Sequence, residues 1–456
     1  MSFSLQRRGG LTALALVMCG PGAISIAKPA TGLPVLARAT LATPDQIASE
    51  QLALQILAAP QIKQAKAQIL ERLLADADAQ GSTGKDQARR VLDQWTTYLA
   101  FNAAFSDTQR PRVVTVTDNR PHSWSGQPFP VSALLISNPD NIYRSSLIDG
   151  ESRYALHGHF GNPRAGQFSI ELSRKSIEGD LSKQSKTFGD MGNQVVMITD
   201  DTIRTEPDGS FTILIDPDPS NGRANHIQTV PGPLLLHYRD SLSDWRQEPT
   251  RLVIRNVSAP DRAAPTLSDL VKSTAAKLPD YVTFWQDFKN SFLGTPDYNT
   301  LAGPYRRDGG WGYSASGRFQ IAADEALVVV VRNDRAAYTG FQIADPWMVT
   351  PDPSKFLISR NKAQSVPDGD GRYTYVVSAK DPGVANWIET AGLSRGWLQI
   401  RWQGVTPGSN GKGFLESVAL VKFADLHKTI PADVAKSAPE RRRRERAERV
   451  TTYPIR

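Results

Sequence analysis

The spacing of apolar residues divides the chain into helical and extended stretches. Between residues 43 and 105, apolar side chains recur every three or four positions, which predicts three amphipathic helices. Thr43-Pro44-Asp45-Gln46 has the sequence of a capping box with proline at the first helical position, so the first helix should begin there. The second helix should begin near Pro60 and stop at Gly81, and the third carries Trp95 in its apolar stripe. We interpret these helices as a small cap packed on a larger body.

From residue 112 apolar positions alternate with polar ones, a period of two that is typical of β-strands. Turn residues separate the runs, as in a sandwich or jelly roll. Residues 266–293 return to a helical period that Pro279 should interrupt, and a second strand-rich stretch covers residues 311–423 before a final helix. The strands predicted in the first stretch are 112–117, 131–137, 153–160, 167–173, 194–199, 211–215, 234–239 and 251–256.

The two strand-rich stretches resemble each other in sequence. Three pairs of segments match in the same order: 162–170 with 333–343, 208–215 (DGSFTILI) with 370–377 (DGRYTYVV), and 251–256 with 397–402. Three matches in one order favour a duplicated β unit over chance. Duplication predicts two similar sandwiches, or two halves of one large sandwich, with a cleft between them.

These segments together predict a mainly β fold with helical additions (α+β), built from two related sandwich or jelly-roll-like units. Six parts are expected along the chain. They are a signal peptide (1–27), a helical cap (28–108), a first β unit (109–260), a helical linker (261–300), a second β unit (301–425) and a basic C-terminal helix or tail (426–456).

The first 27 residues have the pattern of an export signal. Arg7 and Arg8 form a positive region, residues 11–18 are apolar, and Ser25-Ile26-Ala27 is a small-x-small cleavage site. We therefore expect cleavage after Ala27 and a location in the periplasm or outside the cell. The apolar run is shorter than the roughly 20 residues that cross a bilayer. No later run approaches that length, so a soluble mature protein without a transmembrane segment is expected.

Cysteine usage and charge exclude several classes of function. The single cysteine, Cys19, lies within the signal, so the mature chain has no thiolate nucleophile, disulfide or cysteine-ligated zinc. The net charge of +7 comes from the signal arginines and from residues 436–456, which leaves the body neutral and argues against nucleic acid as a partner. We interpret the basic segment 440–446 as a solvated helix end laced with salt bridges; the alternative is contact with an acidic surface.

Several motifs resemble the bacterial family known as domain of unknown function 1214. In the first half they are 138–144 (NPDNIYR), Ile148-Asp149-Gly150, a strand with Tyr154, 208–211 (DGSF) and Pro231-Gly232. In the second half they are 381–387 (DPGVANW), Thr390-Ala391-Gly392 and Arg401-Trp402. The resemblance covers most of residues 130–425 and implies a β-sandwich or jelly-roll-like core. It carries no settled activity, so it transfers no catalytic residues.

Two polar clusters are candidate ligand-binding sites. The first follows a predicted strand and consists of Asn138, Asp140, Asn141, Tyr143 and Arg144; the second consists of Asp381, Asn386, Trp387 and Arg401. Asn and Asp beside Pro form turns, so a structural turn is one interpretation. The other is a polar rim whose Tyr and Arg donors meet an anionic or hydroxyl-rich ligand, with the two clusters facing each other.

His157-Gly158-His159 is the main candidate for chemistry. Residues two apart in a strand share a face, so both imidazoles could bind one divalent metal or act as acid and base. A third ligand would have to come from His226, His237, or a carboxylate such as Asp149 or Glu171. The alternative is a pair of half-buried histidines that are hydrogen-bonded within the fold.

Tryptophans crowd the second half of the chain, at Trp311, Trp347, Trp387, Trp397 and Trp402. Their faces either stack on sugars or fill a sandwich core. We therefore expect an exported protein that binds a small molecule or glycan in an aromatic-rimmed cleft. The alternative is a periplasmic hydrolase, lyase or isomerase that uses His157 and His159, with Asp149 as a third catalytic candidate. The sequence leaves open whether the protein is an enzyme and whether it holds a metal.

Overall fold

The computed structural model of the protein describes residues 41–124, 126–132, 135–174, 194–257, 261–291, 296–333 and 335–453. The predicted signal peptide, with Arg7, Arg8 and the cleavage site at Ala27, lies outside these residues. The described residues belong to one structural unit. Within them, no helix has both the length and the apolar character needed to cross a bilayer.

Three helices open the described part of the chain: α1 (Pro44–Ala58), α2 (Pro60–Leu74) and α3 (Gly81–Ala104). The predicted start of α1 is confirmed, because the N–H of Gln46 donates to Thr43 Oγ1 at 3.1 Å. The prediction that Gly81 stops α2 is wrong, since Gly81 begins α3. Asp76 accepts a hydrogen bond from the N–H of Asp78 at 2.9 Å and caps a short 3₁₀ turn, which ends the α-helical path earlier.

A fourth helix, α4 (Leu267–Ser291), links the two strand-rich stretches. The predicted interruption at Pro279 does not occur. Proline removes one backbone hydrogen bond, but Leu278, Tyr281 and Val282 around it are completely buried. Packing of this helical face therefore outweighs the lost bond.

Within its described residues, the first β unit contains nine strands in two sheets. They are β1 (Val114–Thr115), β2 (Asn141–Asp149), β3 (Tyr154–His159), β4 (Gln167–Arg174), β5 (Gln194–Thr199), β6 (Ser210–Asp216), β7 (His226–Gln228), β8 (Pro233–Ser241) and β9 (Arg251–Asn256). The orders are β1-β2-β8-β4-β5 and β7-β6-β3-β9. Apolar side chains such as Tyr154, Phe168 and Tyr238 fill the space between the sheets.

The part of the second β unit that the structure describes also has nine strands. They are β10 (Thr300–Arg306), β11 (Gly312–Gln320), β12 (Glu325–Val331), β13 (Tyr338–Ala344), β14 (Ser359–Asn361), β15 (Tyr373–Ser378), β16 (Trp387–Glu389), β17 (Arg395–Gln403) and β18 (Leu415–Lys422). The orders are β10-β11-β17-β13-β14 and β16-β15-β12-β18. Helices α5 (Leu426–Thr429) and α6 (Pro439–Thr452) follow.

The second unit repeats the strand order of the first with an offset of nine strands. Both units also contain one parallel pair at the same place, β6 with β7 and β15 with β16. The predicted fold class, mainly β with helical additions and two related units, is confirmed. The third sequence match, 251–256 with 397–402, is misaligned, because the topology makes β8, rather than β9, the counterpart of β17. Both β8 and β9 contain a Tyr-Arg or Ile-Arg pair near their ends, so each resembles β17 in sequence.

The connection before β2 differs from the prediction. Residues 131–137 were expected to form a strand, but Leu135 and Ile136 have φ values of 27° and 33°, and the described part of this segment forms a loop. The N–H of Ile136 donates to Met348 O at 2.6 Å, and its side chain is buried. The apolar side chain of Ile136 is therefore buried against the second β unit, and strand β2 begins only at Asn141.

A third core lies between the helices and the two β units. It contains residues of α1 to α4 together with Leu147 and Leu235 from the first unit and Trp347 and Trp397 from the second. Leu147, Leu235 and Trp397 belong to the five-stranded sheets and are not part of either sandwich core. The helical layer therefore covers the outer faces of both five-stranded sheets.

Candidate functional site

The outer faces of the five-stranded sheets are set by strand alternation. On β8, Leu234, Leu236 and Tyr238 enter the sandwich core, so His237 and Arg239 lie on the opposite face. On β17, Leu398, Ile400 and Trp402 do the same, which places Gln399 and Arg401 on the opposite face. Both outer faces carry polar side chains at positions that other elements cover.

We call this polar layer the interlayer site. The first unit contributes Tyr143, Ser145, Ser169, Glu171, His237 and Arg239; the second contributes Arg307, Trp311, Ser314, Ser316, Gln342, Gln399 and Arg401. The two sets meet around Trp311. Gln167 Nε2 donates to Trp311 O at 3.0 Å, and the Trp311 ring lies 5.7 Å from the Arg239 guanidinium and 4.7 Å from that of Arg307.

Arg239 and Glu171 form an ion pair across β8 and β4, with Arg239 Nη2 2.6 Å from Glu171 Oε2. Burial raises the pKa of Glu171, but the positive charge of Arg239 and the hydrogen bond that Arg239 donates outweigh burial, so that the pKa falls below its ordinary value. Burial is the largest single influence on the pKa of both groups, yet the side chains of Arg239 and Glu171 keep 16% and 20% of their accessible surface, respectively. Both side chains are therefore half-buried and are not sealed in a core.

His237 is the neutral member of this layer. Its Nδ1 lies 2.9 Å from Ser145 Oγ. Burial and the nearby Arg239 lower the pKa of His237 to about 4, so the imidazole is uncharged at neutral pH. It offers hydrogen bonding without charge.

Arg401 is the equivalent of Arg239 in the second unit. Each lies two residues before the paired end of its central strand, Arg239 opposite Tyr143 and Ser169, and Arg401 opposite Ser314 and Gly340. The partners of Arg401 are neutral: its guanidinium donates to Gln342 Oε1 at 2.5 Å and to Ile136 O at 3.0 Å. Among the described residues, no carboxylate pairs with Arg401.

Arg307 adds positive charge near Arg239 and Arg401. Burial, followed by the charges of Arg401 and Arg239, lowers the pKa of Arg307 to about 10. It remains a cation at neutral pH. Arg307 therefore lies close enough to Arg401 and to Arg239 for its charge to be repelled by theirs.

Helix α3 forms one wall of the layer. Gln94, Tyr98 and Asn102 recur every four residues on one buried stripe of the helix. Burial raises the pKa of Tyr98 to about 12, and the charge of Arg239 acts against this rise, which places the phenol near the arginine. The phenol stays protonated.

Several buried polar atoms in and around the layer have no hydrogen-bond partner within the described part of the chain. They are Arg239 Nη1, Ser316 Oγ, Gln399 Oε1, both amide atoms of Gln403, Gln167 Oε1, Gln94 Oε1 and Asn102 Oδ1. A buried polar atom without a partner costs about 1–3 kcal/mol. Each of these atoms needs a water molecule or a polar ligand as its partner.

The first predicted cluster lies mostly outside this layer. Asn138 Nδ2 donates to Tyr338 Oη at 2.7 Å, and Asp140 accepts from Tyr338 Oη at 2.8 Å and from Trp245 Nε1 at 2.7 Å. Asn141 accepts from Asn138 at 3.1 Å. These side chains are buried at the junction of the two β units and hold the units together.

The remaining members of that cluster separate. Tyr143 points into the interlayer site, where its hydroxyl accepts from the N–H of Asn138 at 3.1 Å. Arg144 lies on the other face of β2 and forms a buried ion pair with Asp240 while donating to Thr250 O. Alternation along the strand therefore splits the two residues between faces.

The second predicted cluster also separates, because Asp381 and Trp387 contact helix α6. Asp381 pairs with Arg442 at 2.9 Å, and the Arg442 guanidinium stacks 5.1 Å from the Trp387 ring. Asn386 Oδ1 accepts from the N–H of Val366 at 2.8 Å. Arg401 alone reaches the first cluster, through the loop at Ile136.

The predicted histidine pair occupies one strand, β3, but each ring has a local partner. His157 Nδ1 lies 3.0 Å from Thr212 Oγ1, and His159 Nδ1 lies 2.7 Å from Phe160 O. Asp149 accepts from the N–H of Glu151 at 3.1 Å, in a turn. In the described ranges, no three His, Cys, Asp or Glu side chains group as a metal site would require.

Arg239 and Arg307 were not among the predicted site residues, and Glu171 and His237 were predicted only as candidate metal ligands. A partial signal for Arg239 was present: apolar and aromatic residues occupy three successive positions of one parity of β8 (Leu234, Leu236 and Tyr238), whereas His237 and Arg239 follow Leu235 at the other. Alignment of β8 with β17 would have paired Arg239 with Arg401. For Arg307, which lies in a short connection, the sequence carried no signal.

Fold and site define a class of protein: a duplicated β-sandwich whose two units enclose an arginine-containing polar layer. Residues 142–239 match the model of the family described as "Protein of unknown function (DUF1214)". This confirms the resemblance read from the sequence for that segment, which contains all six residues that the first unit contributes to the interlayer site. The second motif, 381–387, lies outside the matched residues.

Two solved structures resemble the chain. An uncharacterised protein from Burkholderia cenocepacia has a TM-score of 0.65 and 22% sequence identity, covering 82% of this chain and 99% of that chain; the likeness is one of fold. The VPA0106 protein from Vibrio parahaemolyticus has a TM-score of 0.37 and 10% identity, covering 73% of this chain and 96% of that chain. No curated protein matches the chain.

Proposed function

We propose that the protein binds a small organic anion in the interlayer site. The observation that carries this proposal is Arg401, which is 8% exposed and whose partners among the described residues are neutral. A buried cation without a carboxylate is costly, and an anionic ligand supplies the opposite charge. Two of the five N–H donors of its guanidinium meet Gln342 and Ile136, so others remain for a carboxylate or phosphate.

The surroundings of Arg401 support the same function. Arg307 and Arg239 add positive charge nearby, and the unpartnered polar atoms offer hydrogen bonds. The Trp311 ring provides an apolar face. Binding therefore keeps the small-molecule function predicted from the sequence, but moves it from an exposed rim to the layer between the sheets. The periplasm, which the signal pattern predicts, is the setting we propose for it.

The test is the ligand-induced rise in melting temperature of the purified protein. Succinate, citrate and inorganic phosphate are added at up to millimolar concentration to the wild type, Arg401→Gln and Arg246→Gln. Arg246 is the matched control, since its side chain is 68% exposed and pairs with Asp244. A ligand at 100 times its Kd contributes about 2.7 kcal/mol, a rise of roughly 3 °C or more.

We expect at least one of these anions to stabilise the wild type and Arg246→Gln but not Arg401→Gln. Each variant is compared with its own ligand-free melting temperature, because loss of the bond to Ile136 lowers the baseline of Arg401→Gln. Arg401→Lys, which keeps the charge, should recover part of the rise. An equal rise in Arg401→Gln would refute the proposal.

A further inference from the structure

The two β units differ by one charge at equivalent positions. Glu171 lies two residues beyond the partner of Arg239 on β4, and Gln342 lies two residues beyond the partner of Arg401 on β13. Each accepts a hydrogen bond from its arginine, at 2.6 Å and 2.5 Å respectively. The arginine is thus neutralised in the first unit only.

There is a structural reason for a neutral amide, instead of a carboxylate, at position 342. Its Nε2 donates to Ser137 O at 3.0 Å and lies 3.3 Å from Ile136 O, so it holds the loop before β2. A carboxylate cannot donate these bonds and would face two carbonyl oxygens. The junction between the units therefore requires the neutral residue, and the charge of Arg401 stays unbalanced by its own sheet.

We propose that the ligand is a polyhydroxy monocarboxylate, an acid of the sugar-acid class, bound with its carboxylate at Arg401 and its hydroxyl groups toward the Arg239–Glu171 pair. This inference rests on the proposed function and names its ligand class. A neutral arginine–glutamate pair presents donors and acceptors together, which suits hydroxyl groups. The Trp311 ring, which lies near Arg239 and Arg307, suits the C–H face of a carbon chain or sugar ring.

The first experiment compares four probes of similar length on the wild-type protein by calorimetry: gluconate, glucarate, sorbitol and hexanoate. Gluconate has one carboxylate and hydroxyl groups, glucarate has two carboxylates, sorbitol has no charge, and hexanoate has no hydroxyl group. We expect gluconate to bind about tenfold or more tightly than each of the others, because only gluconate matches both ends of the layer.

The second experiment uses Glu171→Gln, which gives the first unit the residue that the second unit has naturally. Arg239 then loses its carboxylate partner, so both ends of the layer carry unbalanced charge. We expect the affinity ratio of glucarate to gluconate to rise about tenfold or more. Glu206→Gln, an exposed substitution in the same β unit, should leave the ratio unchanged.

The outcomes separate this inference from the proposed function. If succinate or citrate stabilises the protein through Arg401 but gluconate binds no better than hexanoate, anion binding stands and the sugar-acid class is wrong. A glucarate preference in the wild type, or an unchanged ratio in Glu171→Gln, also overturns the inference. Failure of every anion, in both sets of probes, overturns the proposed function as well.

Discussion

His122 joins helix α1 to the loop before β2, because its Nε2 lies 2.9 Å from Glu50 Oε1 and its Nδ1 lies 3.1 Å from Asp118 Oδ2. Burial disfavours the imidazolium, but the hydrogen bonds that it donates to the two carboxylates, together with their negative charges, outweigh burial and raise the pKa of His122 to about 9. The loop is thus held to the helical layer by a buried cation between two anions.

Stability should therefore depend on pH above neutrality. A pKa raised in the folded state contributes stability that is complete below the unfolded value of about 6.5 and is lost as the pH rises through about 9. We expect the free energy of unfolding to fall by about 3 kcal/mol across this window. Urea unfolding from pH 6 to 10 measures it. In His122→Gln the free energy of unfolding should depend much less on pH over this range. An equal pH dependence in the wild type and the variant would contradict the role given to His122.

Asp140 should be essential to the junction of the two β units. Asp140→Ala leaves the Tyr338 hydroxyl and the Trp245 indole N–H without this acceptor in a buried place. We expect a loss of about 3 kcal/mol in unfolding free energy. In a double-mutant cycle with Tyr338→Phe, the combined loss should be smaller than the sum. Simple additivity would mean that the contact contributes nothing.

Helix α6 should be a structural part of the second β unit. Arg442, only 7% exposed, pairs with Asp381 and donates to Val384 O at 2.6 Å, so the helix is docked on this side and solvated on the other. Arg442→Ala should cost about 2 kcal/mol or more. Arg443→Ala is the control, since Arg443 is 71% exposed and should change stability by about 0.5 kcal/mol or less. If both substitutions change the free energy of unfolding in urea to a similar extent, helix α6 is solvated on all sides, as the sequence predicted for residues 440–446. The acidic-surface contact of the outward face stays a prediction.

The histidine pair should be dispensable for binding. His157→Ala combined with His159→Ala removes two rings whose contacts are local. We expect unchanged anion-induced stabilisation and unchanged metal content by elemental analysis. A metal that copurifies with the wild type and disappears in the double variant would instead favour the enzyme predicted as the alternative.

Much of the fold could be predicted because it depends on local pattern. Apolar periodicity located α1, α3 and most strands, and the matching segments located the duplicated unit. The predictions were wrong where the conformation of a segment depends on contacts with residues that are distant in the sequence. Residues 131–137 look like a strand but pack on the second unit through Ile136, and the helix at Pro279 continues because tertiary packing outweighs a local penalty.

The candidate site could be predicted only in part. Arg401 and Tyr143 were found as members of polar clusters, but their neighbours in those clusters turned out to lie on other faces or under α6. Strand alternation separates Tyr143 from Arg144, and no local rule says which face the rest of the protein will cover.

By itself, the sequence determined the alternation of helices and strands and the duplication, because hydrophobic period and repeated motifs are properties of neighbouring residues. Only the tertiary structure decided that the polar outer faces of two sheets meet under a helical layer, which brings Arg239 and Arg401 close to the same residue, Arg307. That pairing joins residues far apart in the chain, and its charge balance depends on Gln342 holding a loop of the other unit.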